Sequence, residues 1–199
     1  MIYVVRHGQT LFNAEDRVQG RVDSPLTALG EAQAAAMGAR LADLRRAEGG
    51  AWTLETSPLG RARQTAAIIA AAAGLAEPTV DERLIEASYG DFEGLTRDVL
   101  DARWPQFANV TGIFGRAPGG ETYADLAERV GAWLAEVRAR GEDRRTVAVT
   151  HAGTARVLRG LHMGLGEAAT RQLDKPQGVI FRLAAGAETR LDCPVGAAA

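Results

Sequence analysis

The chain has 199 residues, 46% of them hydrophobic and 24% charged, with a formal net charge of -2, which places it in the globular range with material for one sizeable core. That balance gives no electrostatic reason to expect nucleic acid or an anionic membrane as partner, since both need a concentrated basic face, so neither is expected. The lone cysteine, Cys193, excludes an intramolecular disulfide and a thiolate metal cluster and fits a reducing cytoplasm, and no apolar run is long enough to cross a bilayer.

Residues 2–5 are β-branched or aromatic and predict a buried strand, followed by a polar, glycine-containing loop from Arg6 to Asp23. Thr27 reads as the N-cap of a helix running to about Arg46 and stopped by Gly49-Gly50, and Ala51 to Glu55 reads as a second short strand. Ser57-Pro58 predicts the start of an alanine-rich helix that ends at Gly74, proline being tolerated in a first helical turn. From Thr79 to Ala117 the pattern is irregular: Gly90, Gly94, Gly112 and Gly115 are interleaved with Trp104, Phe107 and Phe114, and a short helix is expected near Leu95 to Arg103. Residues 88–120 are therefore expected to form a lid or cover, whose aromatic side chains would favour a substrate with some apolar body.

Glu121 to Arg140 carries apolar residues at helical spacing, Thr146 to Thr150 is a strand-like run ended by His151, and Ala152 to Leu161 reads as a helix. Val179 to Leu183 and Thr189 to Leu191 read as closing strands before a frayed small-residue tail. No repeat and no linker interrupts the chain, so residues 1–199 are expected to form one domain. Strands alternating with amphipathic helices imply a layered α/β fold with a largely parallel sheet, whose sites lie beyond the carboxyl ends of the strands. His7 and His151 each follow such a strand.

Four segments carry chemistry. In Arg6-His7-Gly8-Gln9-Thr10, neutral imidazole is a good nucleophile, Arg6 offers a planar fork of donors to phosphate oxygens, and Gly8 allows close backbone approach to a ligand. Asn13, three residues on, adds an amide donor. Ser57 to Thr65 places Arg61 where a strand gives way to a helix, a position that already favours anions, while Arg63 reads as a solvated helix face. Leu84 to Gly94 holds three carboxylates, Glu86, Asp91 and Glu93, one of which could protonate a leaving group. In Val147 to Gly153, His151 is suited to gripping a nonbridging oxygen, and the small pair Ala152 and Gly153 opens a helix. Cations near His7 would keep it unprotonated and nucleophilic. His162 is read as a helix-end residue outside the site. Neither a dinucleotide fingerprint, a phosphate loop nor a metal-ligand motif is present, and no cofactor or metal is expected.

In this order the segments resemble the histidine phosphatase superfamily, also called the phosphoglycerate mutase-like family, over nearly the whole chain. Arg17-x-Gln19-Gly20 and Asp23-x-Pro25-Leu26-Thr27-x-x-Gly30 match further family landmarks, and Gly120-Glu121-Thr122 resembles its Gly-Glu-Ser/Thr element. The resemblance implies a single three-layer α/β/α domain with a mostly parallel central sheet. It implies His7 as the phosphorylated nucleophile, Arg6, Arg61 and His151 as the phosphate pocket, and Glu86, rather than Asp91 or Glu93, as the proton donor. Asn13, Gln19 and Gly20 are similar to family residues that contact phosphate or substrate, and Ala152 and Gly153 are expected on the phosphate side.

The family includes both mutases and phosphatases. Residues 95–120 offer only Arg97, Arg103 and Arg116, partly offset by Asp98 and Asp101, and the Arg-Arg-x-Tyr-Asp-x-Pro-Pro string of the similar mutases is absent. A phosphoenzyme that cannot grip a second phosphate passes its phosphoryl group to water, so hydrolysis of a small phosphorylated metabolite is expected. Compact bacterial members that the chain resembles include broad-specificity phosphatases and α-ribazole phosphatases. A cofactor-dependent phosphoglycerate mutase is the alternative, a noncatalytic phospholigand-binding protein is the more distant one, and a homodimer is left open.

Overall fold

The computed structural model describes residues 1–107, 117–141 and 143–196. In chain order the elements begin with β1 (Ile2–Arg6), α1 (Leu11–Ala14), α2 (Ala28–Glu48), β2 (Ala51–Thr56), α3 (Gly60–Ala73), β3 (Thr79–Val80) and α4 (Arg97–Arg103). They continue with α5 (Tyr123–Ala139), β4 (Arg144–Thr150), α6 (Ala152–Met163), α7 (Glu167–Gln172), β5 (Val179–Ala184) and β6 (Ala187–Asp192). The strands form one six-stranded sheet in the order β3-β2-β4-β1-β5-β6. Pairings from β3 through β1 are parallel, and β5 and β6 close the sheet antiparallel.

Three layers follow from the side-chain alternation of the central strands. Val4 and Ala148 face a core built with Trp133, Leu134, Val157, Leu158 and Phe92, supplied largely by α5 and α6. Tyr3, Val5, Val147 and Val149 face the opposite core with Met37, Leu41, Ala66 and Ile69 of α2 and α3. Burial on both faces is why these strands read as continuous apolar runs rather than as alternating ones. The fold is thus the expected α/β arrangement of a mixed, mostly parallel sheet between helices.

Local signals explain most boundaries. The Thr27 hydroxyl accepts from Gly30 N at the start of α2, and Thr122 with Asp125 forms a reciprocal capping box at the start of α5. The loop after β1 holds a turn of helix, α1, capped by Thr10 and Asn13. Ser57-Pro58 does not begin α3. Pro58 pushes the residue before it out of helical geometry, the Ser57 hydroxyl accepts from Leu59 N (3.3 Å), and the helix starts at Gly60. β3 and α7 were not expected; β3 is a two-residue parallel extension beside Glu55 and Thr56.

Of the aromatic residues expected in the cover, Trp104 and Phe107 pack edge-on against buried Phe92 of the same segment, with ring centroids 4.9 and 5.4 Å away, and lie partly buried against the core. Gly112, Phe114, Gly115 and Arg116, and the end of the tail at 197–199, lie outside the described residues. Among the described residues no helix is long and apolar enough to cross a membrane.

Gly8 also serves a purpose other than the expected one. A Cβ there would lie 2.2 Å from Gly30 O, and a Cβ on Gly30 would lie 2.0 Å from Gln9 O, so the two glycines let α2 close directly onto the loop after β1. Gly8→Ala should therefore lower the urea-unfolding free energy by about 1–3 kcal/mol through overpacking, a loss absent if the helix can simply slide away.

Candidate active site

The carboxyl ends of three neighbouring parallel strands build the site. Arg6 lies opposite Thr150 in the β1–β4 register, and His7 N still bonds Thr150 O (2.9 Å) one step past the strand. Ser57 N bonds Val149 O (3.0 Å) at the end of β2. The chains leave the sheet together, and the rings of His7 and His151 stand 5.1 Å apart between centroids. His7, Arg61, Glu86 and His151 are all nearly inaccessible, at 3%, 1%, 4% and 0% exposure.

The tautomer of His7 follows from its partners. Its Nδ1 meets Gly8 O at 2.8 Å, and a carbonyl can only accept, so Nδ1 carries the proton. Nε2 keeps its lone pair and receives Arg61 Nε at 3.3 Å. Burial first, then the charges of Arg61 and Arg6, hold the imidazole well below the usual histidine range. At neutral pH it is an unprotonated nitrogen nucleophile.

Arg61 reaches this position because α3 starts one residue before it. Its remaining donors bond Val22 O (2.9 Å), Gly20 O (2.6 Å) and Asp23 Oδ1 (3.1 Å), which fixes the guanidinium plane. Arg6 donates Nη1 to Lys175 O, while its buried Nε has no protein partner. Its pKa is drawn down to about 10, chiefly by burial, so it stays cationic at neutral pH.

His151 is turned by a residue to which the sequence reading gave no role. Its Nε2 lies 2.7 Å from Ser57 Oγ, a hydroxyl that accepts from Leu59 N and has a proton to donate to the ring. In the tautomer in which Ser57 donates, Nδ1 bears the ring proton, and it is buried with no partner. Burial and the neighbouring Arg61 keep this ring neutral as well. An unpartnered buried donor is unfavourable until an acceptor arrives.

Glu86 sits in a backbone cradle at the start of α6. Gly153 N bonds Oε2 (3.0 Å), and Thr154 N and Ala87 N bond Oε1 (3.1 and 2.9 Å). The Thr150 and Thr154 hydroxyls tie the same loop down through Leu84 O and Ile85 O, both at 2.7 Å. Gly153 therefore serves Glu86 and presents no free N–H to a phosphate, contrary to expectation; Ala152 is the first residue of α6. Asp91 is exposed, and Glu93 is occupied by Tyr89 N and Arg21 N.

The remaining expected residues line the same end of the sheet. Asn13 Oδ1 accepts from Thr10 N (3.3 Å) and Gln177 Nε2 (2.9 Å), which points its amide nitrogen away from both. Gln19 is held through Thr10 Oγ1 (2.7 Å), and Gly20, at φ +54°, offers its carbonyl to Arg61. His162 lies in the last turn of α6 beside Arg138, outside the site. Gln177 was missed: it follows Lys175-Pro176 in a loop whose only sequence signal is a turn. Among the described residues no cluster of three or more His, Cys, Asp or Glu side chains could hold a metal ion.

Such an arrangement sets a neutral imidazole beside buried polar atoms that lack a protein partner, chemistry suited to binding an anion. The chain matches the histidine phosphatase superfamily (branch 1) over residues 2–189 and belongs to that family. A protein from Citrobacter koseri named probable phosphoglycerate mutase GpmB is 40% identical over 176 residues, covering 86% of this chain and 79% of that protein. Among solved structures, a mycobacterial glucosyl-3-phosphoglycerate phosphatase complexed with VO3 is 31% identical, with a TM-score of 0.78 over 90% of this chain and 88% of that one. A structure described as a putative alpha-ribazole-5'-P phosphatase from Escherichia coli shares the fold at 22% identity and TM-score 0.76, covering 96% of this chain and 94% of that one.

Two outcomes test this geometry. The unfolded chain protonates its histidines as pH falls through about 6.5 while His7 and His151 stay neutral in the fold, so stability should fall below that pH by about 1.4 kcal/mol per unit for each. The slope should be shallower in His7→Gln, and equal slopes would contradict a buried neutral His7. Gln177→Glu replaces a donor by an acceptor, turns the Asn13 amide oxygen toward the pocket, and should weaken vanadate binding about tenfold by thermal shift. Wild-type affinity in that variant would show that Asn13 does not depend on Gln177.

Proposed function

We propose that the protein is a phosphomonoester hydrolase acting on a small phosphorylated metabolite through a phosphohistidine at His7. The observation that carries this reading is an unprotonated His7 Nε2 whose ring stands 5.1 Å from that of His151, with two buried nitrogens, Arg6 Nε and His151 Nδ1, left without a protein partner beside it. In the first step Nε2 attacks phosphorus in line and the bond to the bridging oxygen breaks. Glu86 delivers a proton to that oxygen, and the alcohol leaves. Water then attacks the phosphohistidine, its proton returns to the Glu86 carboxylate, and inorganic phosphate is released. Arg6, Arg61 and His151 hold the nonbridging oxygens throughout.

The name of the 40% identical relatives favours a mutase as the second reading. Against it, Arg97 is committed to Asp101 (3.0 Å) and to Phe107 O, and the Arg103 guanidinium lies 5.6 Å from the Trp104 ring centre. Among the described residues of 95–120 this leaves only the exposed Arg103 to meet a second phosphate, one cation where a mutase needs a cluster. The relative named as a phosphatase, complexed with VO3, also supports hydrolysis.

Rates on p-nitrophenyl phosphate and on alkyl phosphates test the assignment. His7→Ala should lose at least about a thousandfold while keeping its fold. Glu86→Gln should slow alkyl esters about a hundredfold or more and the aryl ester much less, because phenolate leaves without a proton. Persistent turnover in His7→Ala would remove the nucleophile, and isomerisation of 3-phosphoglycerate with 2,3-bisphosphoglycerate faster than hydrolysis would favour the mutase. Chelators should leave the rates as they are.

A further inference from the structure

Asp23 stands at the margin of the site with its side chain 41% exposed, and a carboxylate repels the anion that such a site would bind. Its hydrogen bonds run instead to Arg61. Oδ1 accepts from the backbone N of Arg61 (3.3 Å) and from Arg61 Nη1 (3.1 Å), so one oxygen holds that residue at both ends. The same oxygen accepts from Ser24 N (3.1 Å), which steadies the carboxylate on its own loop. Leu59, the residue before α3, has no side-chain oxygen with which to cap the helix, and Asp23 supplies the cap from a different loop.

Gly60 makes room for this contact. A Cβ there would lie 2.3 Å from Asp23 Oδ2, and the next nearest atoms, at 3.4 and 4.0 Å, also belong to the Asp23 carboxyl group. Gly60 is the first residue of α3 and its backbone is not left-handed, so the carboxylate, not the chain, requires glycine at this position. The guanidinium is held at its far end: Nη1 by Asp23 and Val22 O, Nη2 by Gly20 O, while Nε rests on His7 Nε2 (3.3 Å). Nε is thereby left as the donor that can pass from His7 to an incoming oxygen.

We propose that Asp23, seated against Gly60, is a positioning residue that aims Arg61 at the nucleophile by holding its backbone and its guanidinium at once. It acts through Arg61. The inference rests on the hydrolase reading above for its effect on turnover and on the anion site alone for its effect on binding.

Charge and position predict opposite signs. Removing a carboxylate beside an anion site tightens binding if charge alone matters, and loosens it if the carboxylate sets the arginine. Asp23→Ala should weaken orthovanadate binding about tenfold by isothermal titration and lower kcat/KM on p-nitrophenyl phosphate about thirtyfold or more. Asp23→Asn keeps an acceptor oxygen without the charge, so it should bind orthovanadate at least as tightly as wild type and turn the ester over within about threefold of it. Gly60→Ala should reproduce the losses of Asp23→Ala with little change in stability to urea, because the clash is met by the free end of a side chain and alanine suits a helix better than glycine. It therefore carries the test even where Asp23→Ala folds poorly. Added to Asp23→Ala, Gly60→Ala should cost nothing further. Tighter binding in Asp23→Ala, wild-type rates and binding in Gly60→Ala, or additive losses in the double variant overturn the assignment. A wild type that binds orthovanadate but does not turn over the ester ends the hydrolase reading, while the binding series still decides the role of Asp23.

Discussion

Where β1 and β4 end side by side, the N–H of His7 still bonds the carbonyl of Thr150, and this last rung of the sheet sets the distance between the two histidines. Parallel strands in register release their chains at one level, so residues 144 positions apart in sequence meet without any loop having to reach. Ser57, leaving β2 at the same edge, meets His151 for the same reason. Arg61 needs only one further turn of chain, because α3 starts immediately before it. A shift of one residue between β1 and β4 would turn Arg6 and His7 to the wrong face relative to His151.

The site is electrostatically costly, and the rest of the fold offsets that cost. Two neutral histidines and two arginines share one edge of the sheet, with Glu86 and Asp23 as the nearby carboxylates. Burial and the charges of Arg61 and Arg6 act in the same direction on both histidines, which is why they are neutral. Support comes from behind: Trp133 Nε1 bonds Glu55 in the core, and buried Arg159 lies 3.5 Å from the Phe181 ring centre while pairing with Glu188 and Asp174. The loop between α7 and β5, whose Leu173, Asp174 and Lys175 carbonyls are held by Arg156, Arg159 and Arg6, thus gets its rigidity from arginines rooted in α6 and β1, not from its own backbone bonds.

Much of this was legible in the sequence, for reasons that can be named. Apolar runs ended by His7 and His151 give two strand ends and, by the rule for parallel sheets, one location. Glu86 was legible only through the family pattern, because its cradle depends on N–H groups of Gly153 and Thr154 that reach it from the other side of the sheet edge. Local signals were incomplete where a residue had a tertiary partner: Ser57 reads as a helix start yet serves His151, and Gly8 reads as a ligand-approach glycine and also admits Gly30. Gln177 and Lys175 carry no motif, and only the fold shows that their loop touches Arg6 and His7.

The same charges act differently along the proposed reaction, and this constrains what the site can be. Before transfer, Arg6 and Arg61 disfavour a proton on His7, and the anion they attract draws Arg61 Nε off the Nε2 lone pair that it then faces. Once phosphorus is bonded to Nε2, the added charge sits on oxygens that the same guanidiniums and His151 Nδ1 already face, so little has to move. What decides the fate of the phosphohistidine is then which acceptor can stand in line with it. A second phosphate must be held there by cations of its own, and in the described part of residues 95–120 Arg97 is engaged with Asp101 and Phe107 O, which leaves Arg103 alone. Water needs only a base, and Glu86, held by three backbone N–H groups beside the leaving oxygen's side of the pocket, is positioned to supply it.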